Sequence, residues 1–372
     1  MNQADIVIIG AGVVGLAIAQ RLSSSNKKII LLERHATFGQ DSSTRNSEVI
    51  HGGMYYPTNS LKASLCVEGN RQLYQICRQN DIPHRRTGKL IIANTADELR
   101  NIEEIYRQGQ INRVPDLVLL EEQEIKKLEP HVRAKWALMS PSTGILDVIA
   151  LMSYFESVAL HNGVEILYEH EVIDLEKLGE KYRVTVKRSD ASRVQIVTKV
   201  LINAAGLNAD KIAAMLGIDI DRYHYRIYWV KGEYFDVQHH HRGKMSHLIY
   251  PTPTPVSLGI HVRLRLDGTF ALGPNAIYIN ALDYDVDPAH AKEFFENCHS
   301  YLPFLKRSDL APGIAGIRAK LQAKGESAQD FVIRSEADKD LPNFINLVGI
   351  DSPALTASVA IGELVGKIFQ GL

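Results

Sequence analysis

Cysteine is scarce in this sequence and forms no recognisable pair. The 372 residues include three cysteines, Cys66, Cys77 and Cys298, and none belongs to a CxxC motif. An odd number of scattered cysteines argues against a disulfide framework and gives no zinc-ligand spacing. We therefore predict a protein of a reducing compartment, and we interpret that compartment as the cytoplasm.

An excess of one charge and long hydrophobic runs are also missing. Lys and Arg number 42 against 43 for Asp and Glu, with no basic stripe or acidic tail, so we expect no nucleic-acid partner. No stretch reaches the roughly eighteen apolar residues of a membrane span. The apolar residues 6–19 do not resemble a signal peptide, because Asp5 stands where positive charge is needed. We expect a soluble protein and leave a loose association with a membrane surface open.

The first 33 residues carry the strongest pattern in the chain. Asp5–Ile9 is an apolar run typical of a buried parallel strand, and Gly10-Ala11-Gly12-Val13-Val14-Gly15 follows directly. A helix is predicted over Leu16–Ser23, and a second buried strand over Lys28–Leu32 ends at Glu33. In this context Gly-x-Gly-x-x-Gly is the fingerprint of a dinucleotide-binding Rossmann unit.

Each position of the fingerprint has a physical reason. Gly10 permits the tight turn, Gly12 lets the pyrophosphate approach the backbone, and Gly15 lets the helix pack close to the strand. The helix N-terminus, with Val13 and Val14, offers N–H groups and a positive dipole end to the phosphates. Glu33 is placed to accept hydrogen bonds from the ribose hydroxyls. The alternative is a Gly-rich turn without a ligand.

The remaining pattern predicts an α/β protein in which two domains share the chain discontinuously. Apolar strands of Rossmann type recur at 199–204 and 344–348, helices are predicted over 60–79, 95–109, 147–162, 288–300 and 356–369, and alternation predicts strands over 164–175 and 181–188. Residues 225–282, with turns at 251–255 and 267–268, favour an antiparallel sheet. We predict a Rossmann-like dinucleotide-binding domain of residues 1–84, 142–218 and 311–372, and an α+β substrate domain of residues 85–141 and 219–310 on a mixed or antiparallel sheet.

A polar segment follows the second strand. Residues 41–47 are dense in hydroxyls and hydrogen-bond donors and can line phosphates and a flavin ring, or form a plain solvated loop; the residues concerned are Ser42, Ser43, Thr44, Arg45, Asn46 and Ser47. The sequence has one dinucleotide fingerprint, whereas enzymes that use both FAD and NAD usually carry two. NAD is therefore not expected as a second cofactor.

A family resemblance extends over nearly the whole chain, in order. It is carried by residues 47–57 (SEVIHGGMYYP), 60–63 (SLKA), 88–90 (GKL), 141–145 (PSTGI), 203–207 (NAAGL), 231–235 (KGEYF), 248–251 (LIYP), 259–262 (GIHV), 273–275 (GPN), 316–318 (GIR) and 351–356 (DSPALT). These motifs resemble the L-2-hydroxyglutarate dehydrogenase/oxidase branch of the D-amino-acid-oxidase-like flavoproteins. Three departures bear on the substrate: Arg45 and Glu48 replace less charged residues, Ala354 replaces a glycine, and an insertion before residues 316–318 is missing.

The resemblance implies non-covalent FAD on the Rossmann-like domain and oxidation of a small 2-hydroxy acid. It implies that the last helix directs its positive end to the flavin pyrimidine edge, where negative charge develops on reduction. The cofactor-binding residues expected beyond the fingerprint and the polar segment are Arg34, Val172, Ala205, Gly206, Gly349, Ser352, Pro353, Ala354, Leu355 and Thr356.

The reaction implied by the resemblance moves a hydride from the substrate Cα to flavin N5 and needs a base and a carboxylate clamp. We predict His51 as the base, because imidazole has a suitable proton affinity near neutral pH; the alternative is a structural histidine of the cofactor loop. Arg318, after a Gly-rich turn at 313–316, is predicted to bind the carboxylate bidentately. Tyr250 and His261 either line the same pocket or pack in the sheet. Tyr55 and Tyr56 either close the pocket or simply pack.

Several alternatives stay open at this stage. An amine or amino-acid oxidase on the same fold is the nearer one, and a non-catalytic FAD-binding protein is the other. The expected partners are a small carboxylate substrate and an electron acceptor, which is oxygen, a quinone or a protein. No metal is predicted, because the consecutive His239, His240 and His241 in a strand would point to opposite faces.

Overall fold

The structure is a computed structural model that describes residues 2–253 and 259–372. The turn predicted at 251–255 continues into residues 254–258, which lie outside the described residues. The helices of the described residues are α1 (Val13–Leu22), α2 (Leu61–Gln79), α3 (Ala96–Ile111), α4 (Glu122–Leu128), α5 (Val148–His161), α6 (Ala209–Met215), α7 (Ala291–His299) and α8 (Ala354–Gln370).

The strands of the described residues are β1 (Asn2–Ile9), β2 (Ile29–Leu32), β3 (Val49–Ile50), β4 (His84–Arg85), β5 (Lys89–Ala93), β6 (Val118–Glu121), β7 (Trp136–Ser140), β8 (Gly144–Leu146), β9 (Glu165–Leu167), β10 (His170–Leu178), β11 (Lys181–Arg188), β12 (Arg193–Asn203), β13 (Tyr228–Val237), β14 (Leu248–Pro251), β15 (His261–Leu264), β16 (Phe270–Gly273), β17 (Ile277–Ile279), β18 (Leu310–Lys320), β19 (Val332–Glu336) and β20 (Leu341–Val348).

The chain forms two compact units, each assembled from separate segments. Unit 1 comprises residues 1–44, 148–229 and 318–372, and unit 2 comprises residues 45–147 and 230–317. The boundaries differ from the predicted ones mainly at residues 45–84, which fold with unit 2. The reason is strand pairing, because β3 and β4 both pair with β8, and Val49 lies opposite Ile145. Among the described residues, none of the helices combines the length and apolar character of a membrane crossing.

Unit 1 is built on a sheet with parallel strands at its centre. The strand order is β10-β11-β12-β1-β2-β9, and β20 pairs with both β12 and β19. Residues 6–9 of β1 and all of β2 are buried, as their continuous apolar sequences predict. Helix α1 packs closely on α8, where a Cβ on Gly362 would lie 3.0 Å from the carbonyl oxygen of Ala17. Compared with the helix predicted over 356–369, α8 begins two residues earlier and ends one residue later.

The parallel strands of unit 1 end at the same edge of the sheet. Ile9 at the end of β1 lies opposite both Leu32 and Asn203, and Asn203 lies opposite Asn346 near the end of β20. The segments that follow these strands therefore lie side by side. In open α/β sheets this carboxyl edge is where ligands bind.

Unit 2 contains three smaller sheets. Strands β15-β16-β13-β17 form one, with β18 paired to β13; β14-β5-β7-β6 form the second; and β3-β8-β4 form the third. The prediction of a single antiparallel sheet over 225–282 is wrong for β14, which pairs in parallel with β5. The core of this unit is a large apolar cluster to which Leu90, Leu138, Phe235 and Val262 contribute.

Candidate functional site

The Gly-x-Gly-x-x-Gly turn of unit 1 has the geometry that its glycines predict. Gly10 has φ +104°, and a Cβ there would lie 2.6 Å from the carbonyl oxygen of Ala204. A Cβ on Gly15 would lie 1.9 Å from the carbonyl oxygen of Gly10. Since real Cβ atoms do not approach backbone oxygens this closely, both positions need glycine.

The start of α1 presents backbone donors rather than side chains. Gly12 is the N-cap residue and has no side chain with which to cap the helix. The N–H of Val13 donates to Ser43 Oγ at 3.0 Å, and Val14 and Gly15 continue the first turn. An uncapped helix N-terminus beside a glycine turn is a suitable site for a pyrophosphate.

Glu33 is held in a fixed position directly after β2. Its carboxylate accepts the N–H of Ala11 at 2.8 Å through Oε2 and the N–H of His35 at 2.9 Å through Oε1. The residue is 8% exposed, so the carboxylate is positioned by backbone donors rather than by solvent. Arg34 points to Asp41, with 2.7 Å between its Nη2 and Asp41 Oδ2.

The polar segment after β2 divides between the two units. In unit 1, Gly39 donates its N–H to the carbonyl of Ala11 at 3.1 Å, and Thr44 Oγ1 donates to the carbonyl of Gly39 at 2.7 Å. Ser43 contacts Val13 as described, and Ser42 precedes it. The interpretation as a plain solvated loop is therefore wrong for this part, because hydrogen bonds tie it to the phosphate-binding turn.

The other half of the polar segment belongs to unit 2. Ser47 Oγ lies 2.8 Å from the hydroxyl of Tyr234, and Asn46 Oδ1 accepts the N–H of Glu48 at 2.7 Å. The guanidinium of Arg45 lies over the ring of Tyr284, 4.4 Å from its centroid.

The remaining cofactor residues predicted in unit 1 lie after neighbouring strands. Ala205 and Gly206 follow β12, and Gly349, with φ +69°, follows β20. A Cβ on Gly349 would lie 2.4 Å from Leu321 Cγ. The residues that lead into and begin α8 are Ser352, Pro353, Ala354, Leu355 and Thr356, and Val172 lies at an irregularity in the pairing of β10 with β11.

These features fit a bound dinucleotide. The glycines leave room beside the backbone, the helix N-terminus supplies N–H donors, and Glu33 supplies a fixed acceptor. All of them lie at the carboxyl edge of the parallel strands, where the fold places such ligands.

Unit 2 brings together His51, Tyr250 and His261, three of the four predicted catalytic residues. They share one cluster with Tyr55, for which the sequence left a pocket role open, and with Cys66 and Lys89, which the sequence did not single out as site residues. We define the Lys89 cluster as His51, Tyr55, Cys66, Lys89, Tyr250 and His261.

Lys89 is the unusual member of the Lys89 cluster. Its side chain is fully buried, and Nζ lies 4.5 Å from the ring centroids of both Tyr55 and Tyr250. Within residues 2–253 and 259–372, Nζ has no hydrogen-bond partner. Burial lowers the pKa of this amine to about 7, because the charged form loses its hydration.

His51 follows β3 and is neutral at physiological pH. Burial lowers the pKa of its imidazole well below 6.5, and the nearby charges of Lys89 and His261 lower it further. Its carbonyl oxygen accepts hydrogen bonds from Asn70 Nδ2 at 2.9 Å and from the thiol of Cys66 at 3.6 Å. A neutral, anchored imidazole is a suitable proton acceptor.

Tyr250 and His261 form a stacked pair on β14 and β15. Their ring centroids are 3.7 Å apart and the ring planes differ by 16°. Burial raises the pKa of the Tyr250 phenol, so this group stays neutral. Tyr55 is neutral for the same reason.

Arg318 belongs to unit 1, near the end of β18, and is partly buried. The Gly-rich turn predicted at 313–316 is wrong, because these residues lie within β18. The close approach at Gly316 is to protein rather than to a ligand: a Cβ there would lie 1.8 Å from the carbonyl oxygen of Arg45.

An ion pair between a buried arginine and a partly exposed glutamate lies next to the Lys89 cluster in sequence. Arg263, two residues after His261 on β15, donates to Glu48 Oε2 at 2.7 Å and is 5% exposed. Glu48, one of the residues that depart from the family pattern, therefore neutralises a buried cation. No sequence spacing pointed to this pair.

The consecutive histidines do not lie in a strand. The argument that they point to opposite faces and cannot converge on one metal ion is therefore wrong. His239–His241 form a short 3-10 helix, and His240 and His241 both approach Asp309, with Nε2–oxygen distances of 4.0 and 3.0 Å. Their potential ligand atoms lie within 4.8 Å of one another. The 3.0 Å contact is a hydrogen-bonded pair in its own right, and the absence of a metal stays a prediction.

Comparison with known proteins adds the family to this geometry. The family model described as FAD dependent oxidoreductase matches residues 5–368. The chain is 35% identical to the mitochondrial L-2-hydroxyglutarate dehydrogenase of Arabidopsis thaliana, over 99% of this chain and 84% of that protein. It is 29% identical to the human protein of the same name, over 98% and 88% of the two chains.

Solved structures agree on the fold. The dithionite-reduced L-alpha-glycerophosphate oxidase of Mycoplasma pneumoniae with FAD bound has a TM-score of 0.88 and 26% identity, covering 100% of this chain and 95% of that one. Glycine oxidase of Geobacillus kaustophilus has a TM-score of 0.82 at 16% identity, covering 100% and 95%, which is a likeness of fold alone.

One prediction is overturned by these comparisons. The relatives from Arabidopsis thaliana, Bos taurus and Homo sapiens are all named as mitochondrial proteins. The prediction of a cytoplasmic location is therefore wrong; a low cysteine content indicates a reducing environment but does not distinguish one such compartment from another.

Proposed function

Since the chain belongs to the family of FAD-dependent oxidoreductases, we propose that it oxidises L-2-hydroxyglutarate to 2-oxoglutarate. The observation that carries this substrate is the 35% identity with the Arabidopsis thaliana enzyme over 99% of the chain. The cofactor is FAD, and the substrate is a small molecule with a CH–OH group.

Oxidation of a secondary alcohol removes a hydride from carbon and a proton from the hydroxyl. Bound FAD supplies the hydride acceptor. The residues of this chain must bind the substrate, orient it and accept the proton.

His51 is our candidate for the proton acceptor. The low pKa of its buried imidazole keeps the ring neutral, which is the form that can accept a proton. The charges of Lys89 and His261 oppose protonation, so the imidazolium formed during the reaction is driven to release its proton again. The hydrogen bonds from Asn70 and Cys66 to the His51 carbonyl fix the backbone that carries the ring.

Arg318 is our candidate for the cation that holds the carboxylate next to the hydroxyl. A guanidinium binds a carboxylate through two parallel hydrogen bonds and stays charged at any pH at which the protein is folded. Its partial burial allows contact with a ligand while limiting competition from water.

The FAD-binding residues are proposed to be those gathered at the carboxyl edge of the parallel strands of unit 1. The first turn of α1 would hold the pyrophosphate and Glu33 the ribose hydroxyls. The residues that begin α8 would lie at the flavin.

The test is anaerobic reduction of the purified holoenzyme. We expect L-2-hydroxyglutarate to bleach the visible flavin absorbance, and D-2-hydroxyglutarate to leave it unchanged. L-glutamate distinguishes the alternative, because an amino-acid oxidase would be reduced by the amine and not by the hydroxy acid. A flavin that none of the three acids reduces would refute the proposed activity. Reoxidation by oxygen, a soluble quinone or an electron-transfer protein then identifies the acceptor.

A further inference from the structure

A buried ammonium group without an anionic partner requires an explanation. Lys89 lies on β5, whose five residues are all buried, and its Nζ has no acceptor among the described residues. Removing an isolated charge from water costs several kcal/mol, and the two tyrosine rings compensate for only part of this cost. The position is therefore unfavourable for folding unless an anion arrives there.

Among the described residues, the members of the Lys89 cluster that surround the amine supply no negative charge. The pKa of the Cys66 thiol is raised to about 12 by burial, so it is not a thiolate. Burial likewise raises the pKa of the phenols of Tyr55 and Tyr250. His51 is neutral, and His261 would bring positive charge when protonated. The Lys89 cluster thus contains no carboxylate that could pair with the amine.

We propose that Lys89 binds the second carboxylate of the substrate, so that the enzyme selects 2-hydroxy acids with two carboxylates over those with one. This inference rests on the proposed oxidation of a 2-hydroxy acid and names the class of acid. The flanking tyrosines keep water from the amine, which strengthens its attraction for an anion.

Tyr55 forms the outer wall of the position. It lies in the segment after β3 and is partly exposed, whereas Tyr250 on the other side of Nζ is 1% exposed. The hydroxyl of Tyr55 has no hydrogen-bond partner within the described ranges, so no such bond holds this ring in place. A carboxylate reaches Nζ when the Tyr55 ring turns aside.

The kinetic test compares two substrates that differ in one group. L-2-hydroxyglutarate and L-2-hydroxypentanoate have the same five-carbon chain, but the second ends in a methyl group. We expect the Lys89→Met holoenzyme to show a KM for L-2-hydroxyglutarate about 10- to 100-fold higher, which corresponds to a lost charged hydrogen bond. The KM for L-2-hydroxypentanoate should stay within about twofold, and Lys89→Arg should recover part of the preference.

The control is Lys292→Met, the same substitution at a lysine of unit 2 whose side chain is 65% exposed; it should leave both KM values unchanged. An unchanged preference in Lys89→Met overturns the inference. An equal loss of activity on both substrates in Lys89→Met, with flavin content retained, also overturns the inference, because it would indicate a role in placing His51.

A binding measurement separates this inference from the proposed function. Glutarate and pentanoate are titrated into the oxidised holoenzyme by calorimetry. Tighter binding of glutarate that disappears in Lys89→Met supports the inference even if L-2-hydroxyglutarate is not oxidised, in which case only the proposed function fails. The opposite result is that the enzyme oxidises L-2-hydroxyglutarate but binds glutarate equally well with and without Lys89→Met. That result overturns the inference and leaves the proposed function intact.

Discussion

The imidazole of His261 stacks on the phenol ring of Tyr250, with 3.7 Å between the ring centroids. His261 Nδ1 lies 3.0 Å from the carbonyl oxygen of Gly259, and since a carbonyl can only accept, this nitrogen carries the proton. In the neutral form of the ring, this contact selects the tautomer whose Nε2 can accept a hydrogen bond. Stacking and tautomer together explain how two residues from separate strands act as one rigid wall of the Lys89 cluster.

Replacement of His51 tests the base. We expect His51→Gln to lower kcat by roughly 10²- to 10⁴-fold, which is the usual contribution of a general base. Flavin content should be unchanged. His299→Gln, at an exposed position of unit 2, serves as the control. A kcat within a factor of three of the wild type would assign His51 a structural role only.

The pH profile of kcat/KM reports the free enzyme and should have two limbs. The pKa of His51 lies below 6.5, so loss of the neutral base occurs only when the pH falls below 6.5. Lys89, with a pKa of about 7, loses its charge as the pH rises through 7. We expect kcat/KM for L-2-hydroxyglutarate to fall above about pH 7.

The matched variant for this profile is Lys89→Arg, because arginine stays charged. Its alkaline limb should disappear while the acid limb remains. An alkaline limb that persists in this variant would show that another group controls it.

Lys89 should also lower the stability of the fold. Its folded pKa of about 7 lies below the ordinary lysine value of 10.5, so folding disfavours the charged form. The destabilisation is full below about pH 7, decreases as the pH rises, and vanishes above about 10.5. We expect Lys89→Met to increase the free energy of unfolding by about 1–4 kcal/mol at pH 7. Urea unfolding at pH 7 and pH 10 measures the difference, which should be smaller at pH 10; a less stable variant would contradict the burial of a bare cation.

Arg318 is tested through its effect on KM. We expect Arg318→Ala to raise the KM for L-2-hydroxyglutarate by about 100-fold, since a bidentate charged contact is lost. The KM of Arg318→Lys should lie between those of the wild type and Arg318→Ala, because an ammonium carries the charge but cannot make the paired contact. Steady-state kinetics decide this, and an unchanged KM in Arg318→Ala excludes the role.

Glu33 is tested through cofactor affinity. Glu33→Gln keeps the shape of the side chain but removes the charge that accepts hydrogen bonds from Ala11 and His35. We expect the dissociation constant of FAD to rise about 10- to 100-fold, measured by fluorescence titration of the apoprotein. Glu165→Gln, at an exposed position of unit 1, is the control. Equal affinities in all three proteins would remove Glu33 from the cofactor site.

The sequence was sufficient for the nucleotide-binding half of the protein because that half depends on local signals. Glycine spacing and continuous apolar strands predicted β1, α1 and β2, and hydrophobic periodicity predicted α5. The same periodicity predicted α2 and α3 of unit 2. The side-chain hydrogen bonds that link distant segments near the carboxyl edge of the sheet could not be predicted from the sequence. Asn203 Nδ2 donates to Asn346 Oδ1 at 2.8 Å, and Asn346 Nδ2 donates to Glu336 Oε1 at 2.8 Å, all of them buried.

The Lys89 cluster was only half visible in the sequence. His51, Tyr250 and His261 stood in recognisable motifs and were assigned candidate roles. Lys89 also stood in a motif, residues 88–90, but nothing in that motif indicates that its amine is enclosed by two rings. Gly316 was misinterpreted for a similar reason. Glycine marks a close approach but does not identify the partner, which proved to be the carbonyl oxygen of Arg45 against Gly316 of β18.

The packing of α1 on α8 has a consequence for how the protein is made. Gly362 lies against Ala17, and Arg21 pairs with Glu363 at 2.7 Å, so the first helix of the chain completes its contacts with the last. A ribosome that has released the glycine fingerprint must still synthesise more than three hundred residues before α8 exists. During that time the N-terminal strands present apolar surface without their final cover. Unit 1 can therefore complete this packing only after α8 has been synthesised.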